Sequence, residues 1–249
     1  MCYIHIYWTN FEYERKDDPR ELPRTDPHRR ATNMTKHLHT ASLNVLFIGN
    51  SFTARNDVPG MIAQLAAVRG KQLHHRLIQA GGASLRMHWN KGEVQQAMQQ
   101  TRYDYVVLQE QSTLPLKNPQ RMHENIRLFD KAIKDSGAKT ALYLTWAKQN
   151  APETQPAMTT AFTTIGAELG ATVIPVGIAW EQFLRQHNQP VLHDKDLSHP
   201  TFAGSYLAAC VFFAALFGES PVGIACDRLP QTEAERLQHV VANSFADLI

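Results

Sequence analysis

Two short segments of this 249-residue chain carry residue types suited to nucleophilic chemistry. The first is Gly49-Asn50-Ser51-Phe52-Thr53, directly after the apolar run Val45-Leu46-Phe47-Ile48. A serine at a strand-to-helix turn can aim its Oγ into a crevice. The helix that follows offers N-terminal amides to a developing oxyanion, and Gly49 permits the tight turn. Ser51 could equally be the cap of that helix, and the segment is not a Gly-x-Ser-x-Gly elbow. The second segment is Asp196-Leu197-Ser198-His199-Pro200. Residues three apart in a helical turn or tight loop share a side. Asp196 can therefore bond one imidazole nitrogen of His199, fix its tautomer and leave the other facing a nucleophile. The alternative is a helix start, with acidic and hydroxyl residues as caps ahead of Pro200.

Two further segments offer hydrogen-bond donors. In Gly81-Gly82-Ala83-Ser84-Leu85 the glycines allow close backbone approach and an N–H aimed at an oxyanion. An ordinary turn is the other reading. In Gln109-Glu110-Gln111-Ser112 an amide side chain could be a neutral donor, or the segment could be a polar loop end. His193, Asp194, Asp196 and His199 also crowd one short stretch. Mixed histidine and carboxylate sets bind zinc or manganese, which gives a metal-dependent hydrolase as the alternative reading. His74-His75 falls in an expected strand, where neighbours face opposite ways, so one is expected in the core and one on the surface. Trp89, Trp146 and Trp180 either line a sugar or acyl site or serve as core and rim. Neither a Gly-x-Gly-x-x-Gly after the first strand nor a Walker A pattern is present, so no nucleotide cofactor is expected.

These segments must be positioned by the elements around them. Short apolar runs read as buried strands at 45–48, 105–108, 140–146 and 172–175, with a weaker one at 72–80. Between them lie helical stretches: Met61, Ile62, Leu65, Ala66 and Val68 at helical spacing, a stretch to about Gln100, Ile126-Phe129-Ile133, 152–169 and 178–185. An apolar helix over 202–217 and a C-terminal amphipathic helix complete the pattern. Strands alternating with helices predict an α/β fold, flavodoxin-like, in three α/β/α layers with about five parallel strands. Ligands of such sheets bind beyond the carboxyl ends of the strands, where the donor and nucleophile segments fall.

Composition excludes other classes. The chain is 43% hydrophobic with a net charge of +2, which gives no electrostatic argument for nucleic-acid binding. Three cysteines, Cys2, Cys210 and Cys226, are too few and scattered for a disulfide framework. Residues 202–217 fall short of a membrane span, and no basic region followed by an apolar stretch opens the chain. A cytoplasmic protein without a membrane partner is the expectation. Residues 1–33 hold twelve charged residues and three prolines. They read as a disordered tail or as a leader ahead of a start at Met34, with a single domain over 34–249.

Ser51, Gly82, Gln111 and the Asp196/His199 pair fall at successive strand or loop ends. In this order the chain resembles the SGNH (GDSL-like) hydrolase superfamily over about 43–217. Gly49-Asn50-Ser51 is similar to the family's first block, Gly82 to its second, and Asp196-x-x-His199 to its last. Asn50 stands where the familiar block has an acid. Gln109-Glu110-Gln111-Ser112 replaces the familiar Gly-x-Asn-Asp, with Gln111 as the substitute donor and Gln109 behind it. The chain is similar to a branch that carries Gly-Asn-Ser-Phe and Gln-Glu-Gln-Ser. The resemblance implies a serine esterase without metal or cofactor, acting on small acyl (acetyl-like) esters, with a carbohydrate-like alcohol favoured. It implies Ser51 as nucleophile, His199 as base, Asp196 as its partner, and the Ser51 and Gly82 amides with Gln111 as the oxyanion site. A non-catalytic binding module on the same scaffold is the remaining alternative.

Overall fold

Alternate residues of the first strand divide the interior in two. In a computed structural model of the protein, which describes residues 42–246, β1 runs over Ser42–Gly49. Val45 and Phe47 face one apolar cluster, and Leu46 and Ile48 face a second, because successive strand side chains point to opposite faces. The sheet continues with β2 (Gln72–Gln79), β3 (Tyr105–Leu108), β4 (Lys139–Tyr143) and β5 (Thr172–Ile174). All pairs are parallel, in the order β2-β1-β3-β4-β5. Among the described residues ten α-helices lie between and after the strands: α1 (Ser51–Ala54), α2 (Val58–Val68), α3 (Leu85–Lys91), α4 (Glu93–Gln100), α5 (Leu114–Lys117), α6 (Pro119–Asp135), α7 (Gln155–Leu169), α8 (Val176–Gln186), α9 (Phe202–Phe217) and α10 (Gln231–Ala246).

The first cluster joins the sheet to α2, α8, α9 and α10, and the second joins it to α3, α4, α6 and α7. The expected three-layer α/β/α fold with five parallel strands is therefore the observed one. α9 is apolar on every side and buried over Ala203–Ala214, as a helix enclosed by its neighbours must be. Thr201 caps it, its Oγ accepting from the Gly204 amide at 3.1 Å. No helix among the described residues is long and apolar enough to cross a membrane. The expected tail or leader at 1–33 lies outside the described residues.

Three local expectations differ. The fourth strand ends at Tyr143 rather than at Trp146, because Leu144 turns its amide to the carbonyls of Leu142 and Ile174 and the chain leaves the sheet. The helix expected from Pro152 begins as a 3-10 turn, and α7 proper starts at Gln155. His74 and His75 are both exposed. β2 is an edge strand and is covered less than the central strands, so the split into one core and one surface histidine does not occur.

Candidate active site

The turn after β1 is built around Asn50. Its backbone N–H donates to Gln109 Oε1 at 2.8 Å, its Oδ1 accepts from the Phe52 amide at 3.1 Å, and its Nδ2 donates to the Ala83 carbonyl at 3.1 Å. Asn50 is thus the cap of α1, and Ser51 is the first helical residue with its hydroxyl released from capping. The amide at position 50 both accepts and donates, which the acid of the familiar first block cannot do when ionised. Gly49 is needed for space. A Cβ there would lie 2.7 Å from both Gln109 Oε1 and Thr53 Oγ1, and Thr53 Oγ1 itself donates to Gln109 Oε1. Gly49→Ala is expected to lower stability by about 1–3 kcal/mol through this overpacking, measured as a shift in the denaturant midpoint.

The histidine comes from a tight loop. An isolated bridge joins His193 and Pro200, the Asp194 amide donates to the His199 carbonyl at 2.8 Å, and Leu197 takes a left-handed φ of 62°. This folding turns Asp196 onto His199. Asp196 Oδ1 accepts from the Ser198 and His199 amides at 3.1 and 2.9 Å, and Oδ2 meets His199 Nδ1 at 2.5 Å. Those bonds, led by the one to the imidazole, hold the Asp196 carboxyl well below the usual carboxylate range. Asp196 is not a helix cap, since Thr201 fills that role for α9. An ionised carboxylate only accepts, so Nδ1 carries the proton and Nε2 is left as the acceptor. His199 Nε2 lies 2.8 Å from Ser51 Oγ. The structure therefore brings Ser51, His199 and Asp196, 148 and 3 residues apart along the chain, into one hydrogen-bonded line.

Several contacts fix that line. Phe52, Trp146 and Trp180 stack in parallel, with ring centroids 4.8 and 3.9 Å apart, and the His199 ring meets Phe52 edge-on at 5.4 Å. Trp146 Nε1 donates to the Ser198 carbonyl at 3.0 Å. Arg55 pairs with Asp194 at 3.0 Å. Asn56, in the left-handed region at φ 59°, donates to the Thr201 carbonyl and to Ser205 Oγ. The nucleophile turn and the histidine loop are thus fastened to each other and to the start of α9. Trp146 and Trp180 are buried to 2% and 1% exposure, and Trp89 packs on Phe129. The first two are core residues supporting the histidine loop rather than the lining of a sugar or acyl site. Trp146→Phe removes the donor to Ser198 and is expected to cost roughly 1–3 kcal/mol, read by thermal or denaturant unfolding.

Two backbone amides are open. Those of Ser51 and Gly82 meet no acceptor among the described residues. Gly82 has φ 66° with no atom near a would-be Cβ, so glycine is required there by conformation, in a turn closed from Ala83 N–H to the Ala80 carbonyl at 3.1 Å. Gln111 Oε1 accepts from the Thr113 amide and hydroxyl at 2.9 and 3.0 Å, which fixes its orientation and leaves Nε2 available. Gln109 is fully buried with both ends of its amide occupied, by Asn50 and Thr53 on one side and the Glu110 carbonyl on the other. Gln109 supports the nucleophile turn, and its Nε2 spends one of its two N–H groups on the Glu110 carbonyl.

The sequence offers Gln109 as a donor behind Gln111 and assigns Glu110 no role. Glu110 is 1% exposed and accepts from the Leu85 and Gln111 amides and from Asn125 Nδ2. Burial pushes its carboxyl above the usual range, opposed by those hydrogen bonds. The alternative metal cluster does not converge. His193 Nε2 bonds the Ala147 carbonyl, Asp194 pairs with Arg55, and Asp196 pairs with His199. No group of three potential ligands among the described residues could hold an ion.

A parallel five-stranded sheet with helices on both faces is the α/β fold of the SGNH hydrolases. No protein-family model matches the chain, and no curated protein matches it. Solved structures do. A candidate SGNH hydrolase from Slackia heliotrinireducens aligns at 27% identity and a TM-score of 0.61, covering 70% of this chain and 99% of its own. A DUF4886 family protein from Bacteroides uniformis aligns at 18% identity and a TM-score of 0.68, covering 82% and 95%. An acetylxylan esterase from Geobacillus stearothermophilus aligns at 18% identity and a TM-score of 0.55, covering 72% and 96%. The shared fold supports a hydrolase.

Proposed function

We propose that the chain is a serine esterase of the SGNH type. The hydrogen bond of 2.8 Å between Ser51 Oγ and His199 Nε2 carries this reading, because it couples a nucleophile to a base already oriented by Asp196. Ser51 Oγ attacks the ester carbonyl and its proton passes to His199 Nε2. The tetrahedral oxyanion is held by the Ser51 and Gly82 amides, with Gln111 Nε2 as third donor. His199 then protonates the leaving alcohol. Water, deprotonated by the same imidazole, releases the acid and restores Ser51. Asp196 stabilises the imidazolium formed in each half.

The substrate we assign is a small acyl ester, acetyl-like, on a carbohydrate-like alcohol. Neighbours named as acetylxylan esterases share the fold and support that choice by analogy. The test is hydrolysis of p-nitrophenyl acetate with and without EDTA, followed by a panel of acyl chain lengths and acetylated sugars. Activity that survives the chelator and declines with chain length is expected. Activity abolished by EDTA would favour the metal reading. Absence of hydrolysis, together with a Ser51 inert to fluorophosphonate, would favour a binding module.

A further inference from the structure

We propose that Glu110 is a positioning residue, whose buried carboxylate clamps the Gly82 turn and the Gln111 turn into one fixed relation. The proposal rests on the Ser51 reading above and adds how this chain sets its oxyanion donors without the familiar third block. Glu110 Oε1 accepts from the Leu85 amide at 2.9 Å and from the Gln111 amide at 2.7 Å. Leu85 opens α3 three residues after Gly82. Its neighbour Ala83 is held from the other side, through its carbonyl, by Asn50 Nδ2. The strand ends of β1 and β3 thus grip one short segment between two side chains, Asn50 and Glu110. Both are almost fully buried, at 3% and 1% exposure, so neither has water as an alternative partner.

The chemistry at this junction calls for a carboxylate. Three N–H donors converge on Glu110, the third being Asn125 Nδ2, 2.9 Å from Oε2. Asn125 cannot turn its amide over without loss, because its Oδ1 accepts from Arg86 Nε at 3.0 Å. A glutamine at position 110 keeps one acceptor oxygen but sets an NH2 against the NH2 of Asn125. A buried donor facing a donor is costly, and relief comes only by moving the Gly82 segment, the Gln111 turn or Arg86. Because reaction rate depends on donors placed where the oxyanion forms, such movement affects the chemical step more than substrate capture.

Steady-state kinetics of Glu110→Gln on p-nitrophenyl acetate, with thermal unfolding in parallel, test the proposal. kcat is expected to fall about 100-fold, the scale of losing one oxyanion donor, with KM within about twofold of wild type. Adding Asn125→Asp to Glu110→Gln gives the introduced amide an acceptor and keeps one for Arg86. That pair of changes is expected to recover roughly tenfold in kcat, as a coupled pair should. Wild-type kcat in a folded Glu110→Gln, or a loss confined to KM, overturns the proposal. If Glu110→Gln does not fold, Asn125→Ala removes the Oε2 partner together with the acceptor of Arg86 Nε; a kcat loss of about tenfold is then expected, and wild-type kcat overturns the proposal. Amide exchange over residues 80–86 and 109–113 reads the clamp without catalysis. Faster exchange confined to those segments is expected in either variant, and unchanged exchange overturns the clamp. A wild-type protein that neither hydrolyses esters nor takes up fluorophosphonate marks failure of the Ser51 reading instead, and exchange then decides the clamp alone.

Discussion

Ser51→Ala is expected to lower kcat for ester hydrolysis by roughly 10⁶-fold, the loss found when a serine hydrolase loses its nucleophile. The fold is expected to survive. Asn50, not Ser51, caps α1, and among the described residues the Ser51 hydroxyl bonds His199 alone. What remains in the variant is the oxyanion site and substrate binding, which give only a residual rate above water. The comparison of kcat with the unfolding midpoint checks this. Full activity in a folded Ser51→Ala would place the nucleophile elsewhere.

Asp196→Asn is expected to reduce kcat by about 10⁴-fold with little change in structure. The introduced side chain keeps an oxygen for the Ser198 and His199 amides, which now bond Asp196 Oδ1. Its NH2 then faces His199 Nδ1, where Oδ2 now accepts. Nδ1 must become an acceptor, the ring proton moves to Nε2, and Ser51 Oγ meets a donor instead of a base. The wrong tautomer, not lost contact, is the cause. Because Asp196 is held well below the usual carboxylate range, it stays ionised as pH falls through that range, and activity lost there is expected to reflect a group other than Asp196. Rate measurements of kcat and of covalent labelling by a fluorophosphonate should fall together in this variant. A change in KM alone would contradict the role given to Asp196.

How much of this was legible in the sequence follows from the range of each interaction. Strands β1 and β3 and helix α9 announce themselves because their apolar residues are contiguous and mostly buried, as at Val45–Ile48 and Ala203–Ala214. The Asp-x-x-His loop is also local, so its geometry could be anticipated from spacing. β2 was only weakly visible, because an edge strand needs few apolar residues; hence His74 and His75 both face solvent. Trp146 looked like an extension of β4, yet its ring leaves the sheet to stack between Phe52 and Trp180 and hold Ser198. The support that Gln109 gives the nucleophile turn, and the whole role of Glu110, are not legible in the sequence. Their partners lie 59 and 25 residues away, at Asn50 and Leu85, and hydrogen bonds between distant segments leave no periodic trace. Ser51 reads from the sequence as nucleophile or as helix cap, and Asn50 takes the cap, for the same reason: which of two adjacent polar residues caps depends on what else each one touches.

Reaction with a fluorophosphonate followed by peptide mass analysis tests the central claim most directly. A single adduct on Ser51 in the wild-type chain, formed in the presence of EDTA and lost in Ser51→Ala, is the predicted result. No adduct on Ser51, or an adduct on another serine with Ser51 unmodified, would contradict a serine nucleophile activated by His199.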